Sequence, residues 1–290
     1  MTRPGLAGGV QRDGVFPWQS FSGYIFDLDG TVYLGERLLP EADRVIAALR
    51  ASGRRVVFLS NKPLQSRISY AVKLTRLGIP TGPDDVITSS VVLARELSTR
   101  HAGKRAYVLG EPPLIDELRQ AGVVVVEDPE SCGWHVDFVV AAFDRTLSWE
   151  KLNHAHQALR RGARLIATNP DRTCPVEGGD VPDAGAIIAA LEACSGKALE
   201  WVAGKPSHLM VQTALAHLGS LPSETVLVGD RLETDIAMAR QAGIASVLVL
   251  TGVTDQVSAG RAPAELRPDF VLGSIAELVP VAEGPPARGG

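Results

Sequence analysis

Short β-branched runs alternate with helical patterns along most of the chain. Runs such as YIFDLDG (24–30) and TVLVGD (225–230) stop at polar or glycine-bearing segments, and patterns such as EADRVIAALRASG (41–53) are typical of amphipathic helices. Buried strands that alternate with helices of about ten residues indicate βαβ units. The sequence therefore predicts an α/β fold, in which a parallel sheet carries helices on both faces.

Polar residues stand where the predicted strands end. In open parallel sheets, a ligand binds beyond the carboxyl ends of the strands. We therefore expect Asp27, Ser60, the loop at Lys205 and Asp230 to lie along one edge of one sheet. The five runs predicted to build that sheet are YIFDLDG, RRVVFLSNKP, WVAGKP, TVLVGD and SVLVLTG.

The spacing of these strand ends predicts an inserted domain. About 145 residues separate Ser60 from Lys205, and this gap contains strand and helix patterns of its own. A segment of that length can form a second α/β domain. We predict a discontinuous core at 1–102 and 201–290, with the insertion at 103–200. The ends at 1–18 and 281–290, rich in small residues and proline, are expected to be flexible tails.

Two acids at the end of the first run require an explanation. Asp27 and Asp29 are two residues apart, so on a strand they point to the same side. Like charges at this spacing need a cation, a proton or a chemical role. Oxygen donors without His or Cys favour Mg²⁺ over Zn²⁺. Asp230 and Asp235 add carboxylates, and Lys205 beside small donors suits the recognition of phosphate.

Composition excludes several classes of partner. The net charge is −4, so no basic field attracts nucleic acid or an anionic membrane. The longest apolar stretches fall short of the roughly 20 residues that cross a bilayer, and the first residues lack the apolar run of a signal peptide. Three scattered cysteines show no metal-type spacing and suit a reducing cytoplasm, which is the location we expect.

Four motifs occur in a fixed order: DLDGTVY (27–33), FLSN (58–61), GKP (204–206) and VGDRLETDIAMARQAG (228–243). They resemble motifs I to IV of the haloacid dehalogenase (HAD) superfamily. An α/β insertion between motifs II and III is similar to the cap of subclass IIA. The segment ATNPDRTCP, followed by GKPS and VLTGV, is also similar to subclass IIA. The segments FLSNKPLQSR, VLGEPPLIDELRQAGV and PDAGAIIAALE look most like sugar-phosphate phosphatases encoded in arabinose operons, and the chain resembles nucleotide and 4-nitrophenyl phosphate phosphatases more distantly.

The resemblance covers about residues 21 to 279. It implies a Rossmann-like HAD core with an inserted α/β cap, which would set the substrate specificity. Asp27 would be the nucleophile that takes the phosphoryl group, and Asp29 would be the general acid and base. Mg²⁺ would be held by the Asp27 carboxylate, the Asp29 main-chain carbonyl and Asp230.

Further residues are assigned by the same resemblance. Asp235 would support the outer shell of the metal, although an acid in the first turn of a helix also suits the helix dipole. The phosphate would be bound by Ser60 and Lys205, with help from backbone N–H groups near Gly30 and Asn61.

The resemblance leaves the roles of the candidate substrate residues open. Lys62 either adds positive charge at the mouth of the site or faces solvent. The segment TNPD is either a plain turn or contacts the substrate; its candidate residues are Thr168, Asn169 and Asp171. Asp183 stands where the usual PGAGA segment of subclass IIA caps has a glycine.

We therefore predict a Mg²⁺-dependent phosphatase that hydrolyses small phosphomonoesters through an aspartyl-phosphate intermediate. Sugar or polyol phosphates are the favoured substrates, with broad selectivity. Nucleotides, phosphoglycolate or 4-nitrophenyl phosphate are alternatives within the family. A phosphotransferase or mutase, or a non-catalytic protein that binds a phosphorylated ligand, is the alternative from another class. A homodimer through the cap is expected by analogy.

Overall fold

The structure, a computed structural model, describes residues 16–176 and 178–280. These residues divide into two compact units. The first unit holds the described residues up to Val57, Leu77–Ile79 and those from Leu218 onward, and the second holds Phe58–Arg76 and Pro80–His217. Of the predicted tails, only residues 16–18 lie within the described part. The predicted domain boundaries near 103 and 200 stay a prediction.

Most strands of the described residues are short and buried. Those of the first 130 residues are β1 (Gly23–Asp27), β2 (Tyr33–Leu34), β3 (Arg37–Leu38), β4 (Arg55–Ser60), β5 (Val86–Thr88), β6 (Arg105–Leu109) and β7 (Val124–Val126). The later ones are β8 (Phe138–Ala141), β9 (Arg164–Ala167), β10 (Thr173–Val176), β11 (Gly179–Pro182), β12 (Leu199–Val202), β13 (Thr225–Gly229), β14 (Ala245–Val249) and β15 (Phe270–Leu272).

Helices connect most of these strands. They are α1 (Ala42–Ala51), α2 (Arg67–Arg76), α3 (Ser89–Arg100), α4 (Pro112–Gln120), α5 (Trp149–Arg160), α6 (Ala184–Ser195), α7 (His208–Leu218), α8 (Ala237–Ala242) and α9 (Gln256–Gly260). A π-helical turn, Leu232–Ile236, directly precedes α8. Within the two described ranges, none of the helices combines the length and apolar character that a membrane span requires.

One six-stranded sheet has the order β15-β14-β13-β1-β4-β5. Strand β13 pairs in parallel with β1 and β14, β14 pairs in parallel with β15, and β4 does so with β5. Strands β1, β13 and β14 are buried along their whole length, as the central strands of a parallel sheet must be. Asp27 ends β1, Ser60 ends β4, and Asp230 directly follows β13, as predicted.

The second sheet has five parallel strands in the order β12-β9-β8-β6-β7 and lies in the second unit. Its core joins Tyr107, Val139 and Leu165 of the strands to Leu159 of α5 and Leu191 of α6. Each unit thus combines parallel strands with helices. The predicted α/β fold class is confirmed.

One strand belongs to a different sheet from the predicted one. The WVAGKP run was expected in the same sheet as β1 and β13, but β12 pairs with β9 of the second sheet. Leu199 and Val202 pack against the core of that sheet, and Glu200 forms an ion pair with Arg164 at the start of β9. The prediction that the Lys205 loop follows a strand of the first sheet is therefore wrong.

Candidate active site

Three carboxylates of the first unit converge. Asp27 ends β1, Asp230 follows β13, and Asp235 lies in the π-helical turn. All three are buried, and each offers a ligand atom within 4.8 Å of the others. Buried like charges at this spacing favour a bound cation or a proton. Three hard oxygen donors fit Mg²⁺, so this donor set suits the metal that the sequence predicted.

The loop after β14 fixes the orientation of Asp230. The Val253 amide donates to Asp230 Oδ2 at 2.6 Å, and the Thr254 amide donates to the Asp230 carbonyl at 3.1 Å. Gly252 lies so close that a Cβ atom there would overlap Asp230 Oδ2. The Asp230 carboxylate is therefore held between a backbone donor and a glycine that leaves it room.

Asp235 is held by its own turn. The Arg231 amide donates to Asp235 Oδ2 at 3.2 Å, and the Asp235 amide donates back to the Arg231 carbonyl at 3.1 Å. Its carboxylate belongs to the same group as Asp27 and Asp230. The predicted outer-shell role thus has a suitable location, and the role itself stays a prediction.

The turn after β1 shapes the surroundings of Asp29. Asp29 is partly exposed, whereas Asp27 is buried, and the Gly35 amide lies 3.5 Å from Asp29 Oδ1 as a long donor. Gly30 donates its amide to the Tyr33 carbonyl at 2.8 Å, and its carbonyl accepts from Thr251 Oγ1 at 2.6 Å. An acid beside solvent can exchange its proton readily, which suits a general acid and base.

Sequence reasoning missed the residues that support the acids from the loop after β14. Thr251 and Val253 were not expected at the site, and neither was the close approach of Gly252. The available signal was the position of the segment TGV immediately after the buried run SVLVL. A glycine at such a strand end often marks a close backbone approach.

In the second unit, hydrogen bonds fix the turn after β4. The buried Ser60 Oγ donates to the Tyr70 hydroxyl at 3.1 Å and accepts from the Lys62 amide at 3.2 Å. Tyr70 in turn donates to the Lys62 carbonyl at 3.2 Å. The Lys62 side chain is partly buried, and its charge acts on Asp183. Its role toward a substrate stays a prediction.

The Asn61 side chain holds the backbone of Lys205. Asn61 Oδ1 accepts from the Lys205 amide at 2.7 Å, and Asn61 Nδ2 donates to the Lys205 carbonyl at 3.1 Å. The Asn61 carbonyl accepts from Ser89 Oγ at 2.8 Å. Lys205 is buried, and its loop follows β12. The side-chain amide of Asn61, after β4, therefore fixes the backbone of a lysine that is distant in sequence.

The candidate substrate residues after β9 bond largely to one another. Asn169 Nδ2 donates to Asp171 Oδ2 at 3.0 Å and to Asp183 Oδ1 at 3.3 Å, and Thr168 Oγ1 donates to Asn169 Oδ1 at 2.7 Å. Thr168, Asn169 and Asp183 are buried. Contacts of these residues with a substrate stay a prediction.

Asp183 also caps α6, because its Oδ1 accepts from the Ala184 amide at 2.5 Å. Burial raises the pKa of Asp183, and the charge of Asp171 adds to the increase. The Ala184 and Asn169 hydrogen bonds and the charge of Lys62 oppose it. Asp183, which replaces a glycine of the PGAGA segment, is therefore part of the internal hydrogen bonding of the second unit.

A second group of charges lies after β6 and β8. Glu111 accepts from Arg145 Nε at 2.7 Å, from Arg145 Nη2 at 2.7 Å and from the Arg145 amide at 3.0 Å. The side-chain hydrogen bonds from Arg145 lower the pKa of Glu111. Nearby, the buried Asp144 accepts from Lys151 Nζ at 2.8 Å and from Thr146 Oγ1 at 2.6 Å. These groups stabilise two strand-end loops.

Comparison with known proteins establishes the family. A haloacid dehalogenase-like hydrolase model matches residues 24–124, and a HAD-hydrolase-like model matches residues 202–278. The sugar-phosphatase AraL of Bacillus subtilis is 40% identical over 265 residues, which cover 90% of this chain and 93% of that protein.

Similar solved structures support the same family assignment. A 4-nitrophenylphosphatase from Thermotoga maritima is similar with a TM-score of 0.84 and 38% identity, covering 90% of this chain and 97% of that one. A glycerol phosphate phosphatase from Mycobacterium tuberculosis in complex with magnesium has a TM-score of 0.82 and 33% identity, covering 90% and 77%. The chain belongs to the haloacid dehalogenase-like hydrolases, as its four motifs predicted, and its relatives are consistent with subclass IIA.

Proposed function

We propose that this hydrolase is a Mg²⁺-dependent phosphatase of small phosphomonoesters, with sugar or polyol phosphates favoured. The observation that carries the proposal is the convergence of the buried Asp27, Asp230 and Asp235 within 4.8 Å. The names of similar proteins support it, since they describe a sugar phosphatase, a glycerol phosphate phosphatase and a 4-nitrophenylphosphatase.

In the first step, a carboxylate oxygen of Asp27 attacks the phosphorus of the ester. The bond between phosphorus and the leaving oxygen breaks as the aspartyl phosphate forms. Asp29 donates its proton to the leaving oxygen, so the alcohol departs neutral. This leaves Asp29 as a carboxylate, which is the form that the second step requires.

In the second step, Asp29 accepts a proton from a water molecule. The water oxygen attacks the phosphorus, the acyl phosphate bond breaks, and inorganic phosphate leaves with the Asp27 carboxylate restored. The family resemblance assigns the phosphate oxygens to the Ser60 hydroxyl and the positive charge of Lys205, with backbone donors near Gly30 and Asn61.

The residues that would hold Mg²⁺ are the Asp27 carboxylate, the Asp29 carbonyl and Asp230, with Asp235 in support. Bound there, the ion would neutralise phosphate charge and reduce repulsion between the phosphate and the Asp27 carboxylate. The structure of a similar protein contains magnesium. The three carboxylates of this chain are oxygen donors, which Mg²⁺ prefers.

The substrate is expected to be a small soluble ester. Neither nucleic acid nor membrane is part of the proposal, in keeping with the net charge of −4. A cytoplasmic location and a homodimer through the cap remain predictions from the sequence.

A phosphate-release assay with the full chain and Mg²⁺ tests the proposal. Substrates would include sugar phosphates, glycerol phosphates, nucleotides, phosphoglycolate, pyridoxal phosphate and 4-nitrophenyl phosphate. We expect the highest kcat/KM for sugar or glycerol phosphates, and a loss of at least about a thousandfold in Asp27→Asn. The exposed Asp43 on α1 provides the matched control, Asp43→Asn.

Two results would contradict parts of the proposal. Equal phosphate release by wild type and Asp27→Asn would show that Asp27 is not the nucleophile. A dominant kcat/KM for nucleotides would leave the mechanism intact but overturn the substrate ranking. Adding an acceptor sugar separates hydrolysis from phosphoryl transfer, because transfer yields a new ester without free phosphate.

A further inference from the structure

Asn61 connects three segments that are far apart in sequence. Its side chain bonds to both backbone groups of Lys205, and its Nδ2 also donates to Asp171 Oδ2 at 3.0 Å. Asn61 and Lys205 are buried in the second unit. A change at Asp171 can therefore reach Lys205 through one side chain.

The two ends of the Asn61 amide are not equivalent. Only the oxygen end can accept from the Lys205 amide, and only the nitrogen end can donate to the Lys205 carbonyl. A flipped amide would oppose donor to donor and acceptor to acceptor. The orientation of this one group therefore decides whether the Lys205 backbone is held.

Asp171 selects the correct orientation. An ionised carboxylate only accepts hydrogen bonds, so it requires the nitrogen end of Asn61 to face it. Asp171 is itself held, because the buried Asn169 donates to the same Oδ2 at 3.0 Å. Hydrogen bonds to a carboxylate are stronger than those between neutral groups, so Asp171 strongly favours this orientation of the Asn61 amide.

Gly204 lets these segments approach. A Cβ atom at this position would lie 2.6 Å from the Thr168 carbonyl oxygen and would overlap Asn61 Oδ1. The Gly204 amide donates to that Thr168 carbonyl at 2.7 Å. The residue before Lys205 is therefore joined to the loop that carries Asp171.

We propose that Asp171 is a positioning residue, which acts through Asn61 to hold the Lys205 backbone for phosphate binding. The inference rests on the proposed function, in which Lys205 binds the phosphate. It differs from the direct substrate role considered for Asp171, because a positioning residue affects every phosphate ligand equally.

Inorganic phosphate as a competitive inhibitor separates the two roles, since it has no leaving group for a specificity residue to contact. We expect Asp171→Ala to lower kcat and to raise the phosphate Ki, each by about tenfold, for both 4-nitrophenyl phosphate and glycerol phosphate. Asp171→Asn keeps one acceptor oxygen and should stay within about threefold of wild type. The matched control is Asp116→Ala, at an exposed acid on α4.

A double substitution tests the pair even where Asp171→Ala fails to fold. Asn61→Asp keeps the acceptor for the Lys205 amide but turns a second oxygen toward Asp171, so kcat should fall. Adding Asp171→Asn removes the repulsion between the two carboxylates but leaves an oxygen facing the Lys205 carbonyl, so we expect a partial recovery of kcat, by at least about twofold. A double variant no better than Asn61→Asp would overturn the inference.

The remaining outcomes distinguish this inference from the proposed function. An unchanged phosphate Ki in Asp171→Ala, with KM altered for one substrate alone, would overturn the positioning role. Lys205→Met should lose both turnover and phosphate binding. If Lys205→Met is inactive while Asp171→Ala matches wild type, only the inference fails; if Lys205→Met is fully active, the assigned role of Lys205 fails as well.

Discussion

The backbone amide of Val253 donates a 2.6 Å hydrogen bond to Oδ2 of Asp230, in a loop where the preceding Gly252 leaves no room for a side chain. The donor lies on the loop after β14, whereas the carboxylate follows β13. This short backbone hydrogen bond holds the Asp230 carboxylate in one orientation. Metal binding by Asp230 should therefore depend on the backbone of its neighbouring loop.

Gly252→Ala tests this dependence. The added methyl group would overlap Asp230 Oδ2, so either the loop or the carboxylate must shift. We expect the Mg²⁺ concentration for half-maximal phosphatase activity to rise by about tenfold or more, as disturbed support of metal ligands does elsewhere. A titration of activity with Mg²⁺ measures it. Gly82→Ala is the control, because a Cβ atom at that position would have its nearest neighbour 3.9 Å away. If both variants required the same Mg²⁺ concentration, the expectation would be contradicted.

Mg²⁺ should raise the thermal stability of the chain. A cation that binds the folded state but not the unfolded chain adds about 2.7 kcal/mol at a hundred times its Kd. For a chain of this size that corresponds to a rise in Tm of roughly 5 °C. Differential scanning fluorimetry with EDTA and then excess Mg²⁺ measures the rise. Asp230→Asn should abolish most of it and Asp43→Asn none; a full rise in Asp230→Asn would remove Asp230 from the metal site.

The strand pattern was sufficient to place some site residues and not others. Asp27, Ser60 and Asp230 were predicted correctly at strand ends, because buried β-branched runs that stop at polar residues are a local signal. The sheet that contains β12 was predicted wrongly, since the packing of Leu199 and Val202 depends on partners distant in sequence. For the same reason, the segment TGV could mark a close backbone approach but not Asp230 as the acceptor of the Val253 amide, and nothing local pairs Asn61 with Asp171.

Some local conformations could not be predicted from the periodicity of the sequence. The helical pattern TDIAMARQAG predicted one helix, but a π-helical turn precedes a short α8 and carries Asp235 toward the other two acids. A helical period of 3.6 residues does not distinguish these conformations. The hairpins β2–β3 and β10–β11 were likewise not predicted, because their strands are too short to show alternation.

Asp183→Asn should stabilise the protein at neutral pH. Burial raises the pKa of Asp183 above its unfolded value of about 3.9, so the folded state binds the proton more tightly. Stability therefore falls as pH rises between the unfolded and folded pKa values, and the full cost is present above both. Asn still caps α6, so we expect a Tm gain of roughly 2–4 °C at pH 7 that disappears below about pH 4.

Thermal unfolding of wild type and Asp183→Asn at several pH values measures this gain. The exposed Asp116 supplies the control, since Asp116→Asn should leave Tm unchanged at each pH. A lower Tm for Asp183→Asn at pH 7 would mean that the charge of Asp183 stabilises its surroundings by more than its burial costs.

Glu111→Gln should destabilise the protein at neutral pH, whereas Asp183→Asn should stabilise it. The Arg145 hydrogen bonds lower the pKa of Glu111, so its stabilising effect is present above the unfolded pKa of about 4.3 and is lost as pH falls through the lower folded value. Glutamine keeps an acceptor but loses the charge, and its amide group opposes one donor of Arg145. We expect a decrease of about 1 kcal/mol in the free energy of unfolding at pH 7, modest because the Arg145 side chain is exposed.

Urea unfolding of wild type and Glu111→Gln between pH 3 and pH 7 measures this difference, which should shrink toward the acid end as Glu111 is protonated. Glu130→Gln, at an exposed acid of the same unit, is the control and should match wild type throughout. A constant difference across the range would show that Glu111 acts through the shape of its side chain, because a charged interaction must weaken when the carboxylate takes up a proton.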